Sequence, residues 1–208
     1  MNPPILLCDE NMKKIFRSLV FCFLALAMFG RQGYADEVLT TVDEAVKQYS
    51  NGDYDGAVSN LDYAVQLIRQ KKSEALMKVF PAPLEGWEAQ PPTSQATGTA
   101  VFGRSISVSR FYTRNTSTLT IDIASDSPVM QSLVMMLNNP VIAGAGGAKL
   151  ETFSSHRGIV QYNQTNRSGD VNIVVADRYM ITVKGQEVDR ADLISYAQAV
   201  KYSELGQK

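Results

Sequence analysis

Residues 167–185 read RSGDVNIVVADRYMITVKG, and this stretch decides the fold. Apolar side chains alternate with polar ones on either side of the pair Asp177-Arg178. The apolar members are Val171, Ile173, Val175, Tyr179, Ile181 and Val183. Because a period of two residues is typical of a strand with one buried face, the stretch predicts two antiparallel strands joined by a turn.

The same alternation recurs in four more runs of the chain, at residues 106–108, 119–123, 150–154 and 159–162. The first two runs flank a predicted turn at Arg114-Asn115, and the last two flank a predicted turn at His156-Arg157-Gly158. About six strands joined by tight turns indicate one antiparallel sheet with one covered face.

Two segments predict helices that cover this sheet. In the C-terminal one, Asp189 and Asp192 form an acidic first turn before an apolar stripe, which holds Leu193, Tyr196, Ala197 and Val200. The other begins at Ser127-Pro128 and ends before residues 138–140, and it is apolar nearly all round. The predicted fold class is therefore α+β, with an antiparallel sheet and flanking helices.

A helical hairpin is predicted ahead of the sheet, over residues 36–80, with a break at Asn51-Gly52-Asp53. Seven positions of this segment resemble one tetratricopeptide unit: Ala45, Gly52-Asp53-Tyr54, Ala57, Leu61 and Ala64. The segment departs from that pattern because no proline ends the second helix near Arg69 and no second copy follows. A plain amphipathic hairpin packed on its own domain is the alternative interpretation.

Residues 81–98 hold four of the eight prolines and the single tryptophan, which predicts a linker of extended chain. Its middle, residues 86–89, is a candidate short strand. Trp87 in this strand is interpreted as a buried anchor, or alternatively as a side chain that stacks on a ligand. The predicted organisation is a leader at 1–35, a hairpin at 36–80, a linker at 81–98 and an α+β domain at 99–208.

The leader has the pattern of a bacterial signal peptide, and Met12 is a candidate true start. Lys13 and Lys14 precede an apolar run from Leu19 to Gly30, and small residues precede a cleavage site after Ala35. The apolar run is shorter than the roughly 20 residues that a spanning helix needs. We therefore expect a periplasmic or secreted protein with no stable membrane span after cleavage.

Removing the leader also removes both cysteines, Cys8 and Cys22, so no disulfide or cysteine-based metal site is expected in the rest. The whole chain has 20 basic and 21 acidic residues, and the leader takes four and two of them. The remaining 16 basic and 19 acidic residues give a net charge of −3, which offers no electrostatic reason to bind nucleic acid.

No catalytic, cofactor or metal motif stands out from the sequence. His156 is interpreted as a solvated turn residue, because no Gly-x-Ser-x-Gly nucleophile motif accompanies it. The glycine-rich run at 144–147 lacks the lysine and hydroxyl residue of a phosphate loop. The methionines of the helix after Pro128 are interpreted as core residues. Catalytic residues, cofactors and metals are therefore predicted to be absent.

Several phrases of the chain are similar to a widespread group of bacterial periplasmic proteins with an N-terminal helical hairpin. They are DYAVQLIRQKK, FPAPLEGWEA, the methionine-rich helix after DSP, GAGG, and RSGDVNIVVADRYMITVKG before a last helix. The Pro-x-x-Gly-Trp entry into an antiparallel sheet also resembles the Mog1/PsbP-like fold. The first resemblance implies no particular activity, and the second implies an accessory or binding module.

The leading hypothesis is a non-enzymatic periplasmic binding or accessory protein that contacts an envelope protein through its sheet-and-helix domain, either alone or together with the hairpin. The alternative is a carrier of a small apolar ligand, with a pocket between the sheet and the methionine-rich helix, and a carboxylate-based enzyme ranks third. The predicted site for a ligand or partner consists of Met130, Leu133, Met136, Gly144, Gly146 and Trp87.

Overall fold

The structure, a computed structural model, describes residues 36–95, 105–127, 129–139 and 147–205. The chain divides into two compact units, with the boundary between Ala64 and Val65. The described part of the first unit is therefore residues 36–64. The predicted leader, Gly144 and Gly146 lie outside the described residues.

The first unit is built on a helical hairpin, as the sequence predicts. Its helices are α1 (Glu37–Ser50) and α2 (Tyr54–Met77), and α2 continues into the second unit. Asp36 caps α1 by accepting a hydrogen bond from the amide of Val38 at 3.1 Å, and Asp53 accepts one from the amide of Gly56 at 3.0 Å. These side-chain caps satisfy amides that have no partner inside the helices.

Small and polar side chains join the two helices of the hairpin. The buried residues of the described part of the first unit are three alanines, Ala45, Ala57 and Ala64. The Asn60 amide donates to Gln48 Oε1 at 2.7 Å, and Tyr63 Oη donates to Glu37 Oε1 at 2.9 Å. The two helices therefore contact each other through alanines, and most of the large apolar side chains in residues 36–64 are exposed.

The second unit contains an eight-stranded antiparallel sheet, which confirms the predicted α+β class. Its strands are β1 (Glu88–Ala89), β2 (Thr93–Gln95), β3 (Ile106–Arg114), β4 (Ser117–Ser125), β5 (Lys149–Phe153), β6 (His156–Asn163), β7 (Ser168–Val175) and β8 (Tyr179–Gln186). The order across the sheet is β1, β3, β4, β8, β7, β6 and β5, and β2 also pairs with β3. Besides the predicted six, β1 confirms the candidate short strand at residues 86–89, and β2 is an unpredicted short strand in the same linker.

One predicted turn is wrong. The sequence places a turn at residues 156–158, but β6 begins at His156, and Phe153 pairs with His156 across a two-residue turn. The turn residues Ser154 and Ser155 have φ values of 45° and 75°. Positive φ at both central residues matches the twist of a tight hairpin. Serine is only a weak turn signal, so the sequence pattern did not mark these two residues as the turn.

The main core lies on one face of the sheet. Helix α4 (Arg190–Ala199) covers this face with Leu193, Tyr196 and Ala197, which are fully buried. Alternate strand residues contribute the rest, including Ile121, Ile123, Val171, Ile173, Ile181 and Val183. The helix begins with a capping box between Asp189 and Asp192, so the predicted acidic first turn acts as a cap.

The opposite face is partly covered by helix α3 (Met130–Asn138). Leu133 and Leu137 pack with Ala148 and Ile159 in a smaller cluster, with Met180 at its edge. Ile159 and Val160 belong to different clusters, because successive strand residues point to opposite faces. The two flanking helices therefore lie on opposite faces of the sheet rather than on one.

The core of the second unit includes residues on both sides of the predicted boundary at residue 80. Val79 and Phe80 are almost fully buried in the main cluster. The carbonyl of Val79 accepts a hydrogen bond from the amide of Lys201 at 3.0 Å, and the carbonyl of Pro81 accepts one from Tyr112 Oη at 2.9 Å. The division between the two compact units lies after Ala64, and the boundary at residue 80 stays a prediction.

Candidate functional site

The predicted site residues of α3 lie mostly inside the smaller cluster. Met130 and Leu133 are buried, and Met136 is half-buried against Leu133 and its neighbours. The large exposed apolar side chains of this segment are Val129 and Met135, which is 68 % exposed. The structure thus brings the inner residues of α3 into core packing. Their role in binding stays a prediction.

Trp87, the remaining predicted site residue, is buried between an aromatic ring and an arginine. Its ring meets Tyr196 edge to face, with centroids 5.3 Å apart, and the Arg114 guanidinium lies 4.6 Å from its centroid. Aromatic and cation–π contacts of this kind stabilise a packed side chain. The geometry matches the interpretation of Trp87 as an anchor.

An open cavity of about 460 Å³ lies near the ends of β6 and β7. It is lined by Gly147, Gln161, Tyr162, Asn163, Ser168, Gly169 and Asp170. The side-chain amide of Asn172 donates a hydrogen bond to the Asp170 carboxylate. Asn172 Oδ1 in turn accepts a hydrogen bond from Thr182 Oγ1 at 2.9 Å. Asp170 is the one carboxyl group among these lining residues, whereas glycoside hydrolysis uses a pair of carboxylates.

We expect Asp170 to titrate above its usual pKa of 3.8. Burial raises the pKa, whereas the Asn172 hydrogen bond and the Lys184 charge lower it, and burial prevails. The carboxyl group therefore favours the folded state below pH 3.8, and this contribution is lost as the pH rises through the raised pKa. An NMR titration of the side-chain carbon should give a midpoint above 3.8. A midpoint at or below that value contradicts the expectation.

Neither a metal-binding cluster nor a membrane-spanning helix occurs within the described ranges. No three His, Cys, Asp or Glu side chains among these residues are placed so that they could hold a metal ion. None of the helices in these ranges combines the length and apolar character needed to cross a bilayer.

Exposed apolar side chains are concentrated on the two hairpin helices. Seven large ones in the described part of the first unit are between 47 % and 66 % exposed. Tyr63 is one of them, and its hydroxyl donates to Glu37. The other six are Leu39, Val46, Tyr49, Tyr54, Val58 and Leu61. Together with the half-buried Val42, they are spaced three and four residues apart on each helix, which is the spacing of a contact stripe. We call these six residues the hairpin face.

The two rows of the hairpin face lie on the same side of the hairpin. Val46 follows the inward-facing Ala45, and Val58 follows the inward-facing Ala57. One residue turns a helix by about 100°, and in two antiparallel helices this turn leads to the same side of the pair. The rings of Tyr49 and Tyr54 are 5.5 Å apart and join the rows at the turn. The six side chains therefore form one continuous surface.

Carboxylates border the hairpin face along its outer edges. Asp43 lies three residues before Val46, and Asp55 and Asp62 lie three before and four after Val58. Residues at these separations are neighbours on a helix surface. All three are exposed, and none has an ion-pair or hydrogen-bond partner among the described residues. The hairpin face is thus an apolar surface with acidic edges.

No family model, curated protein or solved structure matches the chain. The resemblances found in the sequence therefore stay predictions.

The hairpin face is the feature that the sequence analysis missed. A signal for it is present, because each helix carries a row of large apolar side chains beside small buried ones, which are Ala45 on α1 and Ala57 and Ala64 on α2. A helix with two apolar rows needs two contacts. The alanine row is used inside the hairpin, and the large row points away from it.

Proposed function

We propose that the protein is a non-enzymatic binding or accessory protein of the bacterial envelope, and that it contacts another protein through the hairpin face. Export to the periplasm is part of this proposal. It rests on the basic and apolar pattern of residues 12–35.

One observation carries the proposal: six large apolar side chains form a single exposed surface on a hairpin whose inner contact is already filled by alanines. Exposed apolar side chains that occur singly need no explanation, but a contiguous group of them marks an interaction site. Tyrosine and leucine on adjacent helical turns are also suited to a helical partner.

The apolar-ligand carrier is less well supported. The side chains between α3 and the sheet pack against one another, as Leu133 and Leu137 do with Ala148 and Ile159. The cavity near β6 and β7 is open and is lined largely by polar side chains and glycines, whereas carrier pockets are predominantly apolar.

The proposal is tested with the double variant Val46→Gln and Leu61→Gln. Glutamine keeps the helix propensity and removes apolar contact area. After cross-linking in cells, we expect the double variant to recover the partner species at least about tenfold less than the unchanged protein. Hot-spot truncations cost about 2 kcal/mol or more, and about 1.4 kcal/mol already corresponds to tenfold.

Met135→Gln is the matched control, because Met135 is equally exposed but lies on α3. It should leave recovery unchanged. Both variants should keep the thermal midpoint within a few degrees, because exposed substitutions usually change stability by less than about 0.5 kcal/mol. Equal recovery with the double variant and with the control would contradict the proposal.

A further inference from the structure

We infer that the hairpin face binds a basic amphipathic helix, namely a helix with an apolar stripe bordered by lysine or arginine. This inference rests on the proposed function, and it adds the chemistry of the partner. It follows from the charge, the size and the shape of the hairpin face.

The described part of the first unit, residues 36–64, is strongly acidic. Residues 36–64 contain one basic residue, Lys47, and seven acidic residues, which gives a net charge of −6 (1 minus 7). The seven are Asp36, Glu37, Asp43, Glu44, Asp53, Asp55 and Asp62. A surface of this charge attracts cationic partners and repels anionic ones.

Four of the seven acidic residues have a structural role inside the hairpin. Asp36 and Asp53 cap the helices, and Glu37 accepts the Tyr63 hydroxyl. Glu44 pairs with Lys47 at 3.5 Å, so the one basic residue of the stretch 36–64 is also engaged. The three that remain, Asp43, Asp55 and Asp62, are those that border the hairpin face, where they can meet lysine or arginine of a partner.

The size of the hairpin face fits one helix. Six side chains that are about half exposed offer roughly 600 Å² of surface, since large side chains have about 100 to 250 Å² each. The row on α1 spans 11 residues, from Leu39 to Tyr49, which corresponds to about 15 Å of helix axis. A surface of this length can seat about two to three turns of a partner helix.

A second copy of the chain fits this surface less well. Two copies would bring two units of charge −6 together, and carboxylates at the edges would face carboxylates. The area is also below the roughly 800 Å² per partner that a stable dimer of standard size buries. Charge and area together therefore favour a basic helix over self-association.

The test uses two synthetic helical peptides of about 14 residues, which is two heptads. Both carry leucine at the same stripe positions, and the remaining positions are lysine in one peptide and glutamate in the other. At low ionic strength, we expect the purified protein to bind the lysine peptide at least about tenfold more tightly than the glutamate peptide. The difference should shrink at about 0.5 M salt, because salt screens exposed charges.

Two variants locate the binding. The double variant Val46→Gln with Leu61→Gln, called the stripe variant below, should weaken binding of the lysine peptide about tenfold or more, because it removes apolar contact from the hairpin face. The double variant Asp43→Asn with Asp62→Asn, called the aspartate variant below, should weaken binding of the lysine peptide about threefold to tenfold, because exposed charge pairs contribute modestly. It should also remove most of the salt dependence of binding. The control Met135→Gln should bind as the unchanged protein does.

Three results would overturn the inference: equal binding of both peptides, unchanged binding by the aspartate variant, or a concentration-dependent dimer that the stripe variant dissociates. The last result would identify a second copy as the occupant. If any of these occurs while the stripe variant still loses its partner in cells, the proposed function stands and only the partner chemistry is wrong. Undiminished partner recovery with the stripe variant would instead remove the proposed function itself.

Discussion

A chain that begins at Pro83 is expected to lose cooperative folding. It lacks Val79 and Phe80, which are buried in the main core, and it also lacks the Pro81 carbonyl. Tyr112 would then keep a fully buried hydroxyl without its acceptor. Loss of an aromatic core side chain and of a buried acceptor together costs about 5 to 8 kcal/mol, which approaches the total stability of an ordinary domain.

A chain that begins at Val65 is the control for this truncation, because it starts at the boundary between the two units and retains Leu76, Val79 and Phe80. Circular dichroism during heating should show one sharp transition for the longer chain and a broad or absent transition for the shorter one. A sharp transition of the shorter chain at a similar temperature would support the predicted boundary at residue 80 and would contradict a structural role of Val79, Phe80 and Pro81 in the main core.

Trp87→Ala is expected to lower the free energy of unfolding by about 3 to 5 kcal/mol, as truncations of large buried aromatic residues do. The indole contacts both Tyr196 and Arg114, and the variant would leave a cavity between them. Urea unfolding followed by circular dichroism measures the loss.

Trp87→Phe is the matched control, since it keeps an aromatic ring against Tyr196 and should lose less than half as much stability. If Trp87→Ala costs under about 1 kcal/mol, the side chain is not an anchor, and the prediction that it stacks on a ligand is favoured.

The sheet could be predicted from sequence because its signal is local. Alternation of the kind seen at Ile121 and Ile123 specifies which face is buried, and β4 follows it along its whole length. The C-terminal helix was equally predictable, since an acidic cap and an apolar stripe lie within a dozen residues. The exact turn positions were not predictable, because Ser154 and Ser155 adopt positive φ values that serine signals only weakly.

The domain boundary and the hairpin face depend on contacts between distant residues. Prolines correctly exclude helix from residues 81–92, but they carry no signal that the Pro81 carbonyl accepts the Tyr112 hydroxyl. Similarly, sequence periodicity marks both Ala57 and Val58 as apolar, yet only the packing of α1 on α2 separates the buried row from the exposed one. Which apolar row is left over is a property of the folded hairpin.

The central claim, that the hairpin face is a docking surface, is tested most directly by site-specific photo-cross-linking in cells. A photoreactive amino acid replaces Val58 on the hairpin face, or Met135 on α3 in a second strain, because both positions are well exposed. The account predicts a discrete cross-linked species from position 58, its loss when Val46→Gln is added, and no such species from position 135. Absence of a cross-link from position 58, or the same species from both positions, would contradict the claim.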